Sequence, residues 1–223
     1  MKAFFTKDFA QFFKELEKNN SKVWFDANRQ RYEEQVKLPF YHFIEALIDE
    51  VSIVDKDLLI DPKSAIFRIH KDVRFSKDKT PYKTHCSALI AKNGRKDMNG
   101  PGFYLELTAT GAAFYSGLYQ PDAKMLKSIR TYIMDHPNEF NTLLKDKSFK
   151  KSFGTLMGEK SKVLAKEFKE AAIEQPFMYN KQFLMIKKWE KEILSDKKLI
   201  QEIKTCFEHA RAMRAFLYEA SIY

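Results

Sequence analysis

Apolar positions recur at helical spacing near both ends of the chain and at two-residue spacing in its middle. Phe9, Phe12, Phe13 and Leu16 fall at i, i+3, i+4 and i+7, one stripe of a helix that Thr6 is placed to cap. Asn19-Asn20-Ser21 ends that stripe, and Asp26 is placed to cap a second helix through about Lys37. Pro39 has no amide hydrogen and crowds the preceding turn, so it starts a new helix or kinks the old one. Phe40, Phe43, Ile44, Leu47 and Val51 continue in helical register. From Phe67 to Phe75 the period changes to two. Phe67, Ile69, Val73 and Phe75 point one way, and Arg68, His70, Asp72 and Arg74 the other, the pattern of a strand with one buried face. His85 to Ala91, Phe103 to Ala109 and Ala112 to Tyr119 read as three further strands, with turn signals at Asn93-Gly94, Gly100-Pro101-Gly102 and Gly111. Successive strands with local turns predict an antiparallel meander.

After Asp122 the helical period returns. Leu126, Ile129 and Ile133 make one stripe, and Pro137 begins a segment containing Phe140, Leu143 and Leu144. A helix holding Leu164 and Phe168 is expected to stop near Pro176, and Phe183 to Leu194 reads as helical. Ser195 is placed to cap a final helix that buries Leu199, Ile203, Phe207, Ala210 and Leu217. No stretch has the composition of an interdomain linker. The expected architecture is therefore α+β: a four-stranded, mainly antiparallel sheet over about residues 66–119, flanked by N-terminal and C-terminal helices, in a single domain spanning 1–223.

Composition narrows the class. Hydrophobic residues make up 44% and aromatics 14%, with twenty Phe, which suits a ring-rich core and excludes a disordered chain. No apolar run exceeds four residues, so no membrane span is expected. MKAFFTKDF lacks the apolar centre of a signal peptide, and Cys86 and Cys206 stand far apart, which together predict a reduced, cytoplasmic protein. Between Asp61 and Asp97 ten Lys/Arg face four Asp, so six of the net nine positive charges lie in one-sixth of the chain. A focused field of this kind concentrates anions. Lys92, Arg95 and Lys96, in their glycine-containing loop, read as an ordinary solvated basic face.

The charged side of the 67–75 segment is the first candidate site. Side chains at alternate positions rise in a row at roughly 6.5–7 Å spacing. Arg68 and Arg74 in such a row suit a phosphate or carboxylate, with His70 and Asp72 between them. The same residues suit a ligand-free salt network equally well, because Asp72 is able to neutralise both arginines. The following loop, Ser76 to Lys83, is stiffened by Pro81 and presents Ser76, Lys79, Tyr82 and Lys83; its plain alternative is a solvated hairpin with Tyr82 packed on its base. Tyr104 and Glu106 share a strand face and join the candidate set, Glu106 as a base or as half of a cross-strand ion pair. Trp24, Tyr32 and Tyr119 are further rings able to stack on a ligand, although Trp24 reads more simply as core. His70 and His85 with Asp72 form the one conceivable metal set. No HExxH motif and no Cys/His pairs accompany them, so no metal and no cofactor are expected.

Arg68-Ile69, Asp72-Val73-Arg74-Phe75-Ser76, Asp78-Lys79 and Pro81-Tyr82-Lys83 resemble the signature of a widespread, uncharacterised microbial family known as a domain of unknown function. Asn20, Trp24-Phe25, Asn28-Arg29 and Tyr32 resemble its N-terminal helices, Pro39 its helix break, Gly102 and Tyr104 its third strand, and Gly117-Leu118-Tyr119 with Pro121 its Gly-Leu-aromatic-x-Pro segment. The resemblance covers about Phe9 to Leu144. It weakens after Gly158, where Glu174-Gln175-Pro176-Phe177-Met178 replaces an Asp-His-Pro step. It implies a shared fold and brings no activity, cofactor or catalytic residue. Three functional readings stay open: a small anionic ligand, a nucleic acid, or an interaction protein whose charges form only a salt network. The +9 charge beside aromatic residues favours the second, and the absence of any nucleic-acid motif weighs against it.

Overall fold

The computed structural model describes residues 3–223. Thr6 caps α1 (Lys7–Lys18) by accepting the Asp8 amide, and Phe9, Phe12, Phe13 and Leu16 are its buried stripe. The second helix starts earlier than expected. Ser21, not Asp26, caps α2 (Lys22–Ala27), and Asp26 lies inside it, paired with Lys22 and Arg29. A short α3 (Arg29–Tyr32) runs into a π turn at Glu33–Lys37 and then into α4 (Leu38–Ser52). Pro39 accounts for the π turn. Its ring would clash with the carbonyl four residues back, and the wider turn, in which the Leu38 amide reaches the Glu33 carbonyl, relieves that clash without ending the helix.

A short α5 (Pro62–Ala65) leads to the sheet. Its strands are β1 (His85–Ala91), β2 (Gly102–Thr108), β3 (Gly111–Leu118) and β4 (Phe183–Glu190), in the order β1-β2-β3-β4 and antiparallel throughout. Between β3 and β4 come α6 (Ala123–Asp135), α7 (Pro137–Lys145), α8 (Lys147–Phe153) and the four-residue α9 (Ala171–Glu174). The chain ends in α10 (Leu199–His209) and α11 (Arg211–Ile222). The fold is α+β with a four-stranded antiparallel sheet, as the periodicity predicts.

Two strands differ from expectation. The 67–75 segment forms no ladder: within it only His70 bridges, to Tyr82, and just before it Ile66 bridges Ala88. Its backbone is turned by its own side chains. Asp72 accepts the Arg74 amide, Ser76 the Asp78 amide and Asp78 the Thr80 amide, each two residues on. Such local bonds compete with a ladder, and Pro81 has no donor to offer one. Phe75, expected on the buried side, is 95% exposed. The missing strand is β4, where a helix was expected. FLMIKKWE satisfies either period over so short a run; the structure resolves it as an edge strand with Met185 and Phe183 inward. Leu164 and Phe168 lie in irregular and 3-10 structure instead of a helix, and Ser195 ends a 3-10 turn well before α10 begins.

The core lies on one face of the sheet. Cys86, Ala88 and Ile90 of β1, Phe103, Leu105 and Leu107 of β2, and Ala112 and Phe114 of β3 are all buried there. Phe103 meets Phe207 of α10 at 5.4 Å and Phe114 meets Phe153 of α8 at 6.1 Å. The buried cluster is continuous from Phe5 to Ala220. Its N-terminal end is a chain of rings, Phe5 on Phe9, Phe9 on Phe13, and Phe12 on Trp24 and Tyr32. Each fully buried Phe contributes roughly 1.5–3 kcal/mol, which explains the heavy use of this residue.

Candidate functional site

The opposite face of the sheet is half open. It carries His85, Ser87 and Leu89 of β1, Tyr104, Glu106 and Thr108 of β2, Ala113 and Tyr115 of β3, and Leu184, Ile186 and Lys188 of β4. A cavity of about 440 Å³ lies on it. Small residues make its floor at one end: Gly102 pairs with Ala91, and Gly117 pairs with Leu184. Gly117 is obligatory. Its φ is +115°, and a Cβ there would stand 2.1 Å from the Phe183 carbonyl oxygen. Tyr104 and Tyr115, opposite one another across β2 and β3, form the middle with ring centroids 5.8 Å apart. Leu89, Met98, Tyr119 and Leu184 complete an apolar wall.

The other end is polar. Lys83, Ser87 and Glu106 line it. The Lys83 ammonium stands 5.1 Å from the centre of the Phe67 ring and makes no ion pair among the described residues. Burial holds its pKa below the usual 10.5, and the nearby Arg68 guanidinium adds to this. Glu106 accepts from the Tyr104 hydroxyl at 3.3 Å and faces His85 Nε2 at 3.7 Å. Burial also lowers the His85 pKa, opposed by Glu106. Burial pushes the Tyr104 phenol up to about 12. Ser87 Oγ is buried and makes no hydrogen bond of good geometry; it lies near the Tyr104 hydroxyl, whose pKa it pulls down against burial. A buried hydroxyl without a partner is costly, and such atoms stand out at sites built to meet something else. Cys86, next to His85, points into the core on the other face, and burial raises its thiol pKa; the two residues form no catalytic pair.

Of the residues predicted from sequence, Lys83, Tyr104 and Glu106 line this cavity. Arg68 is exposed beside it, close enough to act on Lys83. His70 packs against Tyr82 and Phe25, at centroid distances of 5.1 and 6.3 Å. Asp72 and Arg74 are bonded to each other on the exposed loop, with two guanidinium nitrogens reaching the carboxylate. Ser76 serves the loop backbone, and Lys79 donates to the Val73 carbonyl. Tyr82 is an anchor and is not presented to solvent. It is 3% exposed, stacks on Phe25 at 4.1 Å, and is held at both backbone groups by the Asn20 amide. Trp24 and Tyr32 belong to the N-terminal ring cluster, and Tyr119 lines the cavity. The sequence reading missed Ser87, Tyr115 and Gly117 as site residues. Their signal was parity: each falls on the same sheet face as Tyr104 once the strands are paired. Among the described residues no three His, Cys, Asp or Glu side chains gather as a metal set, and no helix is long and apolar enough to cross a membrane.

Fold and cavity together define an α+β protein with a helix-backed antiparallel sheet whose open face carries a tyrosine-lined pocket. The chain belongs to the family described as conserved hypothetical protein (DUF2461), whose model matches residues 8–216. The match extends well past Leu144, so the departure at Glu174–Met178 does not end the family likeness. No curated protein is similar enough in sequence to count as a match.

Proposed function

We propose that this protein binds a small ligand carrying one carboxylate or phosphate on an apolar or ring-shaped body, held in the sheet-face cavity with Lys83 as its counter-ion. The observation that carries this reading is Lys83 itself: a half-buried ammonium that lines a cavity and makes no ion pair, with Glu106 of the same cavity acting on it only at longer range. An ammonium removed from water without a partner is unfavourable, and an incoming anion relieves that cost. Ser87 Oγ and the Tyr104 hydroxyl supply hydrogen bonds beside it, and Tyr104, Tyr115 and Tyr119 accept a ring. Arg68 contributes field at the mouth. His70, Asp72, Arg74, Ser76, Lys79 and Tyr82 act through the loop, by fixing the segment that carries Lys83. The continuous core supports treating the whole chain as one domain, and two buried free thiols suit a reduced, cytoplasmic setting.

The test uses benzoate and phenyl phosphate as probes in a titration at fixed ionic strength. At least one binds the wild type, and Lys83→Met weakens it by roughly tenfold or more, the scale of one charge-assisted contact. Binding that is unchanged in Lys83→Met removes the basis of the proposal. The sign of the pH dependence follows from the lowered Lys83 pKa. Affinity is retained at neutral pH and falls as pH rises through a value below 10.5, where the ammonium loses its proton.

A second reading, single-stranded nucleic acid, is favoured by one observation. Phe75 is 95% exposed at the tip of the basic loop, with the Arg74 guanidinium 5.8 Å from its ring centre. An exposed ring among cations suits base stacking. A mixed oligonucleotide retained at low salt by the wild type and released by Phe75→Ala supports it; no retention at low salt removes it.

A further inference from the structure

A second cavity, of about 350 Å³, shares no lining residue with the first and lies between the Val54-Asp55 turn, Pro101 and one side of α11. Arg211, Arg214 and Tyr218 line it at i, i+3 and i+7, so the helix presents them on one face. Arg211 is exposed at the rim, and Arg214 is 6% exposed at the base. The buried guanidinium has one hydrogen bond, from Nη1 to the Phe207 carbonyl at 3.2 Å, and lies 4.0 Å from the centre of the Phe207 ring. No carboxylate pairs with it among the described residues; Asp55 acts on it only at longer range. Burial pulls its pKa down to about 10, Asp55 opposes this, and Arg211 adds to it. By contrast Arg130, the other buried arginine, directs its donors to the Met178 and Asn180 carbonyls and to Ser161, and so ties α6 to the turn before β4.

Two guanidinium groups crowded around a hollow, one of them buried and without an anion, are the arrangement that phosphate and carboxylate oxygens satisfy through paired N–H donors. We propose that this cavity is a second anion site, taking a compact oxyanion, the phosphate or carboxylate group of a small molecule, between Arg211 and Arg214. Asp55 lines the same hollow and limits the bound charge. Val54, Pro101 and Tyr218 leave room for a short apolar body. The site is separate from the Lys83 cavity and does not depend on that proposal.

Thermal unfolding in inorganic phosphate or citrate, against sodium chloride of equal ionic strength, tests it. Phosphate or citrate raises the midpoint of the wild type and of Lys83→Met alike, since ligand bound only to the folded state stabilises it. Arg211→Gln, at an exposed rim position, weakens the fitted affinity by roughly tenfold. Arg214→Met keeps the stem, removes the buried charge and loses the response. If Arg214→Met fails to fold, Arg211→Gln alone carries the comparison. Three results overturn the proposal: no rise beyond the chloride control, an equal rise in Arg211→Gln, or loss of the response in Lys83→Met, which would assign the anion to the other cavity. A double-mutant cycle in which Asp55→Asn and Arg214→Met couple as strongly as a direct ion pair in the absence of added anion, beyond the long-range effect already present, also overturns it by making Asp55 the counter-ion.

Discussion

Two serines on the strands either side of β2 have opposite expected worth. Ser116 Oγ is buried and donates to the Gly102 carbonyl at 2.7 Å, so Ser116→Ala removes a satisfied bond and leaves that acceptor short. A loss of about 1–2 kcal/mol is expected by urea unfolding. Ser87 Oγ is equally buried but makes no hydrogen bond of comparable geometry, lying only near the Tyr104 hydroxyl. Ser87→Ala is therefore neutral or slightly stabilising to the empty protein, while phenyl phosphate binding weakens. A Ser87→Ala loss as large as that of Ser116→Ala would mean that the hydroxyl is structural. Lys83 obeys the same logic: on the proposed function its ammonium, without an ion pair, serves binding at some expense to stability, and Lys83→Met is expected to unfold no earlier than the wild type.

At the scale of elements, the segment joining α5 to β1 holds Lys83 in place. Asn20 bonds both backbone groups of Tyr82, and Tyr82 stacks on Phe25, so α2 and the residues before it grip the loop one residue away from Lys83. Asn20→Ala removes both bonds and is expected to cost roughly 1–3 kcal/mol, and to weaken phenyl phosphate binding without touching the cavity; stability and affinity measured on one sample check both. Gly117→Ala strikes β3 against β4 and is expected to be more damaging, because its Cβ would overlap the Phe183 carbonyl. Helical elements with long apolar stripes were legible in the sequence: α1 and α4 bury the residues their spacing named, α6 buries Ile129 and Ile133 with Leu126 half-buried, and the single final helix expected through Leu217 is divided at Ala210 into α10 and α11, which together bury its stripe. The failures were short segments. Arg68 to Arg74 alternates like a strand, but Asp72, Ser76 and Asp78 bond their own backbone and outcompete a ladder. Phe183 to Glu190 carries too few residues to separate the two periods, and its partner β3 lies more than sixty residues earlier in the chain. The cavity was legible only in part for the same reason. Lys83, Tyr104 and Glu106 were visible as types in a local pattern, whereas Ser87 and Tyr115 acquire meaning only through strand register.

Across the whole molecule, charge acts in two ways. The Arg31 guanidinium joins Asp8 and Glu15 of α1 and ties that helix to α3. Hydrogen bonds from Arg31 hold both carboxyls below their ordinary values. A depressed folded-state pKa gives stability that is complete above the unfolded values, near 3.8 and 4.5, and is lost as pH falls through the folded ones. Acidification below about pH 4 is expected to lower the unfolding midpoint. Arg31→Met is expected to flatten that acid dependence and to lower the midpoint at neutral pH by about 2–4 °C. An acid limb identical in the variant would assign it to other carboxylates. The basic excess near the sheet acts at longer range: on the proposed function it is expected to speed the approach of an anionic ligand to the Lys83 face, an effect that salt screens.

The most direct measurement is a titration of phenyl phosphate into the isotope-labelled protein, followed residue by residue by nuclear magnetic resonance. Saturable shifts at Lys83, Ser87, Tyr104, Tyr115 and Gly117, absent in Lys83→Met, are the predicted result. Shifts confined to the Asp72–Lys79 loop, or no saturable shift on the open face of the sheet, would contradict the account.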